Sequence, residues 1–225
     1  SESGRTLLKE EYKKLLNKLE KVSGKKITVE SLKKGIDIVN AKRKAVKRLT
    51  ELRAADPAPI SGLDTLLVNQ VFFYDDPVRF TDSVNKLCDE LEERVKKGIG
   101  VFPKGTTRVI VSGCPMAVPN WKLPMLIESV NAVIVGEESC VGERGARWIT
   151  GEKGDTVEDL LNTITERYFN IDCAIFTPNP SRLEYIKEMS KKLKADGVIH
   201  YSLQFCQSYI MESGPVGKDL EKSGV

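Results

Sequence analysis

Residues 112–148 read SGCPMAVPNWKLPMLIESVNAVIVGEESCVGERGARW, and this stretch decides the fold class. A β-branched run, Val109, Ile110 and Val111, leads into it and closes on Gly113, as a buried parallel strand does. Asn120 can cap a following helix whose face carries Leu123, Leu126, Ile127 and Val130. Residues 132–135 form a second apolar run and a second strand. The pattern predicts a βαβ unit with Cys114 and Cys140 just past the carboxyl ends of its two strands. Ligands of open parallel sheets bind at that edge, so both cysteines are candidate functional residues.

Downstream the alternation continues. A polar loop at 150–155 precedes a helix at about 156–168, capped by Asp155 or Thr156, with Val157, Leu160, Leu161 and Ile164 inward. Residues 170–180, NIDCAIFTPNP, are either a short strand or an extended crossing loop. Residues 181–194 form a basic amphipathic helix, and 197–205, GVIHYSLQF, a last strand running into Cys206. In that strand Ile199, Tyr201, Leu203 and Phe205 alternate with His200, Ser202 and Gln204. One polar face suits an edge strand or the lining of a polar or metal-bearing cleft. His200, the only histidine, reads as a hydrogen-bonded structural residue before a ligand.

Upstream, residues 1–97 read as a helical preamble to a Rossmann-like α/β domain over 98–225, a parallel sheet flanked by helices. The first helix carries Leu8, Tyr12, Leu15, Leu16 and Leu19 on one stripe and ends at Gly24. Thr28 caps a longer helix with Leu32, Ile36, Val39, Val46 and Leu49 inward. Residues 54–62, AADPAPISG, hold two prolines that a helix interior excludes. Residues 63–73 read as a buried helix, with a strand as the alternative. A helix at about 77–97 places Val84, Leu87, Cys88, Leu91 and Val95 at helical spacing, so Cys88 reads as a small core hydrophobe.

At 225 residues, 40% hydrophobic and 30% charged, the chain can bury a real core. No apolar run is long enough to span a bilayer, and no charged-then-apolar leader points to secretion. A cytoplasmic protein is therefore expected. The net charge of +3 is small, and the lysines lie along amphipathic helices. Without an aromatic-interleaved basic patch, neither nucleic acid nor a membrane is an expected partner. Five cysteines with no export signal favour metal or redox chemistry over disulfides.

Cys114, Cys140, Cys173 and Cys206 all fall at strand ends or in loops. Thiolates are soft ligands that suit zinc or iron–sulfur clusters. The paired Cys-x-x-Cys spacing of structural zinc sites is missing. One cysteine per strand-loop suits a cluster held in a cleft between α/β layers; four unrelated buried thiols is the other reading. Cys–His catalysis is weaker, because His200 has no evident partner carboxylate. The Cys-Val-Gly-Glu-Arg-Gly loop lacks the spacing of a dinucleotide fingerprint.

Several segments together resemble the second half of the 2-hydroxyacyl-CoA dehydratase/benzoyl-CoA reductase family. They are Ser112-Gly113-Cys114-Pro115, Glu138-Ser139-Cys140-Val141-Gly142-Glu143-Arg144, Pro178-Asn179 with Arg182, and Asp196-Gly197-Val198-Ile199 leading to Gln204-Phe205-Cys206. Gly24, Ile27-Thr28, Asn40 and Arg43 of the preamble fit the same family. The resemblance implies an oxygen-sensitive iron–sulfur cluster, reduced by a separate ATP-hydrolysing iron–sulfur activator, and a homodimer in the intact protein. Dehydratase subunits usually supply one ligand from this half, at the position of Cys206. Cysteines at 114, 140 and 173 as well look more like the double-cubane branch, where two cubanes share a bridging sulfide.

The implied cofactor is thus a 4Fe–4S or a double-cubane 8Fe–9S cluster on Cys114, Cys140, Cys173 and Cys206. The implied activity is reduction of a small substrate with low-potential electrons. The alternatives are a 2-hydroxyacyl-CoA dehydratase subunit and a non-catalytic cluster-binding or structural fragment. The family's preceding α/β domain has no counterpart here, and the chain stops where the family enters another strand. A piece cut at both ends is therefore expected, with fewer cysteines than a complete double cubane needs.

Overall fold

A computed structural model describes residues 1–176 and 178–225. Nine helices and three strands are described, in the order α1 (Glu2–Ser23), α2 (Val29–Leu52), α3 (Gly62–Val71), α4 (Pro77–Lys96), β1 (Thr107–Gly113), α5 (Lys122–Ser129), β2 (Ala132–Glu138), α6 (Glu143–Ala146), α7 (Val157–Phe169), α8 (Pro180–Leu193), β3 (Gly197–Tyr201) and α9 (Gln207–Lys222). No described helix is long and apolar enough to cross a membrane. The chain divides into two compact units, one of Ser1–Arg43 with Trp148–Ile171 and the other of Lys44–Arg147 with Asp172–Val225. These boundaries follow packing, whereas the 97/98 division marks where helices give way to strand–helix alternation.

In the first unit α1 lies along α7. Gly24 ends α1 in the left-handed region, at φ 67°. Thr156 caps α7 reciprocally with Asp159, which satisfies N–H groups the first turn leaves open. Lys9 and Lys13 both reach Glu158 at 3.0 Å. Buried Asn40 and Arg43 of α2 fasten the 148–156 loop: Asn40 Nδ2 donates to Thr150 O at 2.8 Å and Arg43 Nη1 to Thr150 Oγ1 at 2.9 Å. Thr28 caps α2, its Oγ1 accepting from Ser31 N at 3.2 Å.

The second unit is built on a parallel sheet of order β2-β1-β3. Successive residues of a strand point to opposite faces, and both faces here are apolar. Val109, Val111 and Ile134 pack with Leu66 of α3 and Ile127 of α5, while Ile110, Val133 and Val135 pack with Met189 and Leu193 of α8. The α/β architecture read from the sequence is the observed one. The carboxyl half of α2 packs on α4 in a separate core that contains Cys88, fully buried among Val46, Leu49, Val84 and Leu91.

Three local expectations change. The last strand ends at Tyr201 and not at 205, because its neighbour β1 ends at Gly113, the partner of Tyr201. Beyond that point the chain turns, with Cys206 N donating to Leu203 O at 3.0 Å and Phe205 at φ 68°. β3 is an edge strand, half-buried throughout. Asn120 does not cap α5; Trp121 holds that position, and Asn120 Nδ2 donates to Tyr201 Oη at 3.0 Å. The inward face of α5 is Leu123, Pro124 and Ile127, whereas Leu126 and Val130 are exposed. Residues 63–71 are helical as read, with 72–73 in a turn, and 170–180 contain no strand among their described residues.

Candidate functional site

The carboxyl edge of the sheet begins at Gly113, whose φ of 124° only glycine adopts without strain. A Cβ there would lie 2.1 Å from Tyr201 O, so the ends of β1 and β3 close together. Cys114 N then donates to Tyr201 O at 2.8 Å. The Cys114 thiol is buried and accepts from Leu203 N at 3.4 Å. The turn at 203–206 folds Cys206 back onto it, and the two side chains pack together with Ala174 and Tyr209.

Cys140 follows β2. A Cβ on Gly142 would fall 2.1 Å from Glu137 O, so glycine lets the loop fold tightly back on the strand end. Cys140 is exposed, and Arg144 Nη1 lies 3.6 Å from its Sγ. Cys173 is half-buried, its carbonyl accepting from Asn179 Nδ2 at 2.8 Å and Phe176 N at 3.0 Å. Asp172 fixes the segment by accepting from Ser181 Oγ at 2.8 Å and pairing with Arg147.

Arg144 and Tyr209 connect the segments that carry these cysteines. Arg144 Nη1 donates to Tyr209 Oη at 2.7 Å. Burial pushes the Tyr209 hydroxyl up to about 12, against the pull of Arg144, and the nearby Cys140 and Cys173 add to the rise. Burial also raises the Cys114 thiol; Leu203 N–H and Arg144 oppose that shift, and the adjoining Cys206 thiol reinforces it. Tyr209 packs with Cys114, Cys206 and the Ala174 that follows Cys173, and Arg144 joins Tyr209 to Cys140.

Beneath them lies a buried ionic network. Glu138 Oε1 accepts from Arg144 Nε at 2.6 Å, and its Oε2 accepts from Arg182 Nε at 3.0 Å and from Ser112 Oγ at 2.7 Å. Arg182 also pairs with Glu212 of α9. Among the described residues, Ser139 Oγ, Ser202 Oγ and His200 Nδ1 are buried without a hydrogen-bond partner. His200 Nε2 lies 3.1 Å from Tyr209 O, and burial lowers its imidazole. No three His, Cys, Asp or Glu side chains among the described residues surround a single metal-ion position.

Sequence reasoning misses Tyr209 and Glu212. Both lie on α9, the helix after Cys206; Tyr209 falls three residues beyond that cysteine, on the same face of a helix.

Over residues 1–225 the chain matches the family model described as 2-hydroxyglutaryl-CoA dehydratase, D-component. The chain belongs to that family. It is 32% identical over 225 residues to the (R)-phenyllactyl-CoA dehydratase beta subunit of Clostridium sporogenes, covering 100% of this chain and 57% of that relative. It is 27% identical over 213 residues to the putative dehydratase subunit YjiM of Escherichia coli (strain K12), covering 94% of this chain and 54% of the relative. With one of the subunits of the benzoyl-CoA reductase of Thauera aromatica the identity is 25% over 202 residues, covering 90% and 51%. The chain spans about half the length of these members of the dehydratase family. The family resemblance read from the motifs is thus the family found.

Proposed function

We propose that this chain holds an iron–sulfur cluster on Cys114, Cys140, Cys173 and Cys206, within a double-cubane-type reductase component served by an ATP-hydrolysing iron–sulfur activator. The observation that supports the reading is the linkage of the four cysteine segments through Arg144 and Tyr209: Arg144 Nη1 lies 3.6 Å from Cys140 Sγ and donates to Tyr209 Oη at 2.7 Å, and Tyr209 packs with Cys114, Cys206 and the Ala174 that follows Cys173. Each thiolate of a cubane bonds a different iron, so its ligands surround a volume and need not meet at one ion position. A 4Fe–4S or 8Fe–9S group there supplies one-electron transfer at low potential.

The chain's own residues prepare the site. Arg144 places a buried positive charge beside Cys140 Sγ, which offsets the charge of thiolate ligands. Glu138 and Tyr209 fix the direction of that guanidinium. The unpartnered hydroxyls of Ser139 and Ser202 suit a polar group seated between the loops, since buried hydroxyls are normally satisfied.

A 2-hydroxyacyl-CoA dehydratase subunit, eliminating water from its substrate, is the second reading, favoured by the names of two of the relatives. Cys206 would then be the main ligand from this half. Anaerobic iron and sulfide analysis of the intact protein separates the readings. The first expects iron to fall in the Ser variant of each of the four loop cysteines and to stay unchanged in Cys88→Ser. Iron retained in Cys114→Ser, Cys140→Ser and Cys173→Ser but lost in Cys206→Ser supports the dehydratase reading. Iron missing from the anaerobically prepared native protein sinks both and leaves a structural or interaction role.

A further inference from the structure

Cys114 and Cys206 differ from the other thiols in packing into one small apolar cluster, with Ala174 and Tyr209. Three contacts enforce this. Cys114 N is bonded to Tyr201 O at 2.8 Å, Leu203 N donates to Cys114 Sγ at 3.4 Å, and Leu203 O accepts from Cys206 N at 3.0 Å. Leu203 therefore holds the Cys114 sulfur with its N–H and the Cys206 backbone with its carbonyl. The exposures of the two thiols are unequal: Cys114 is 2% exposed and Cys206 is half-buried. An accessible thiol packed beside a shielded one is the arrangement in which a mixed disulfide formed on the first is resolved by the second.

We propose that Cys114 and Cys206 form a reversible disulfide when no metal group occupies them. With a disulfide oxidant such as oxidised glutathione, Cys206 as thiolate attacks one glutathione sulfur and releases the other glutathione. Cys114 as thiolate then attacks Cys206 Sγ and releases the second. The protein sulfurs give up two protons and two electrons in all, and both leave on two molecules of reduced glutathione. Cys88, fully buried in a different core, stays out of the exchange. The consequence for loading rests on the proposed cluster ligation: the oxidised pair offers no thiolate, so iron and sulfide enter only after reduction.

Peptide mapping of the intact, metal-free protein, with and without oxidised glutathione, tests the bond. The expected result is a linked Cys114–Cys206 peptide pair that dithiothreitol reverses, that is lost in Cys206→Ser, and that persists in Cys140→Ser and Cys88→Ser. Circular dichroism of Cys206→Ser checks its fold, and reversal in the native protein is read independently of any variant. Predominant pairing of other cysteines, glutathione adducts without an internal bond, or no oxidation of the pair overturns the proposal. Iron uptake is read in parallel, with the oxidised protein expected to bind none until reduced. A reduced protein that takes up no iron refutes the cluster reading and leaves the mapped bond standing; an oxidised protein that loads as fast as the reduced one refutes the gating consequence.

Discussion

Glu138 is fully buried, with Arg144 on one carboxylate oxygen and Arg182 on the other. An unpaired carboxylate would be costly to bury there, and two guanidiniums could not share the space without it. Removing the shared anion is therefore costly in a way that removing a surface pair is not. Glu138→Leu is expected to lower stability by about 3–5 kcal/mol, because it leaves two buried cations facing each other. Chemical denaturation checks this, and a loss below about 1 kcal/mol, the range of exposed pairs, would show the network to be hydrated. The chain shows Glu138 and Arg182 plainly, but they are 44 residues apart, and no periodicity links positions so far separated.

At the scale of elements, the pairing of β1 with β3 rests on the close approach at Gly113. Gly113→Ala should cost about 1–3 kcal/mol or more, since φ of 124° and a Cβ at 2.1 Å from Tyr201 O are both unfavourable. Thermal melts read the loss; an unchanged melting temperature would mean that the strand ends are not apposed. Most elements are legible because their periodicity is strong, as with Val84, Cys88 and Leu91 on α4 or Leu160 and Leu161 on α7. The misses are local. Alternation continues past Tyr201 in the sequence, but a strand needs a neighbour, and β1 offers none beyond Gly113. The helix α9 contains Gly214 and Pro215, residues that normally argue against a helix interior, so the sequence conceals both the helix and Tyr209 on it.

For the whole molecule, stability should depend on pH through Glu143, beside Arg53. The Arg53 guanidinium, fully buried, bonds Glu143 Oε1 at 3.1 Å and Glu137 Oε1 at 3.4 Å. One cation between two buried carboxylates leaves a net negative charge if both ionise. Burial accordingly raises Glu143 to about 7, with Glu137 adding to the rise and Arg53 opposing it; Glu137 itself is raised by burial. Between the ordinary carboxyl range and about pH 7 the folded chain holds a proton that the unfolded chain releases. This contribution is therefore full at acid pH and is lost as pH rises through 7, by on the order of a few kcal/mol. Denaturant midpoints at pH 5.5 and 8 should fall with pH in the native protein and change less in Glu143→Gln. A midpoint that rises with pH and is insensitive to that substitution would refute the assignment.

By itself the sequence determined the α/β class, the order of most elements and the family, because these follow from periodicities of a few residues and from short contiguous motifs. It also marked the four loop cysteines as candidates. Only the tertiary structure decided that Arg144 joins Cys140 to Tyr209, that Cys114 and Cys206 share a cluster with Tyr209, and that Glu138 joins two arginines. The contacts of Arg144 with Tyr209, of Arg182 with Glu138 and between the Cys114 and Cys206 segments join residues dozens of positions apart, through the crossover connections of a parallel sheet, and chain spacing carries no record of them.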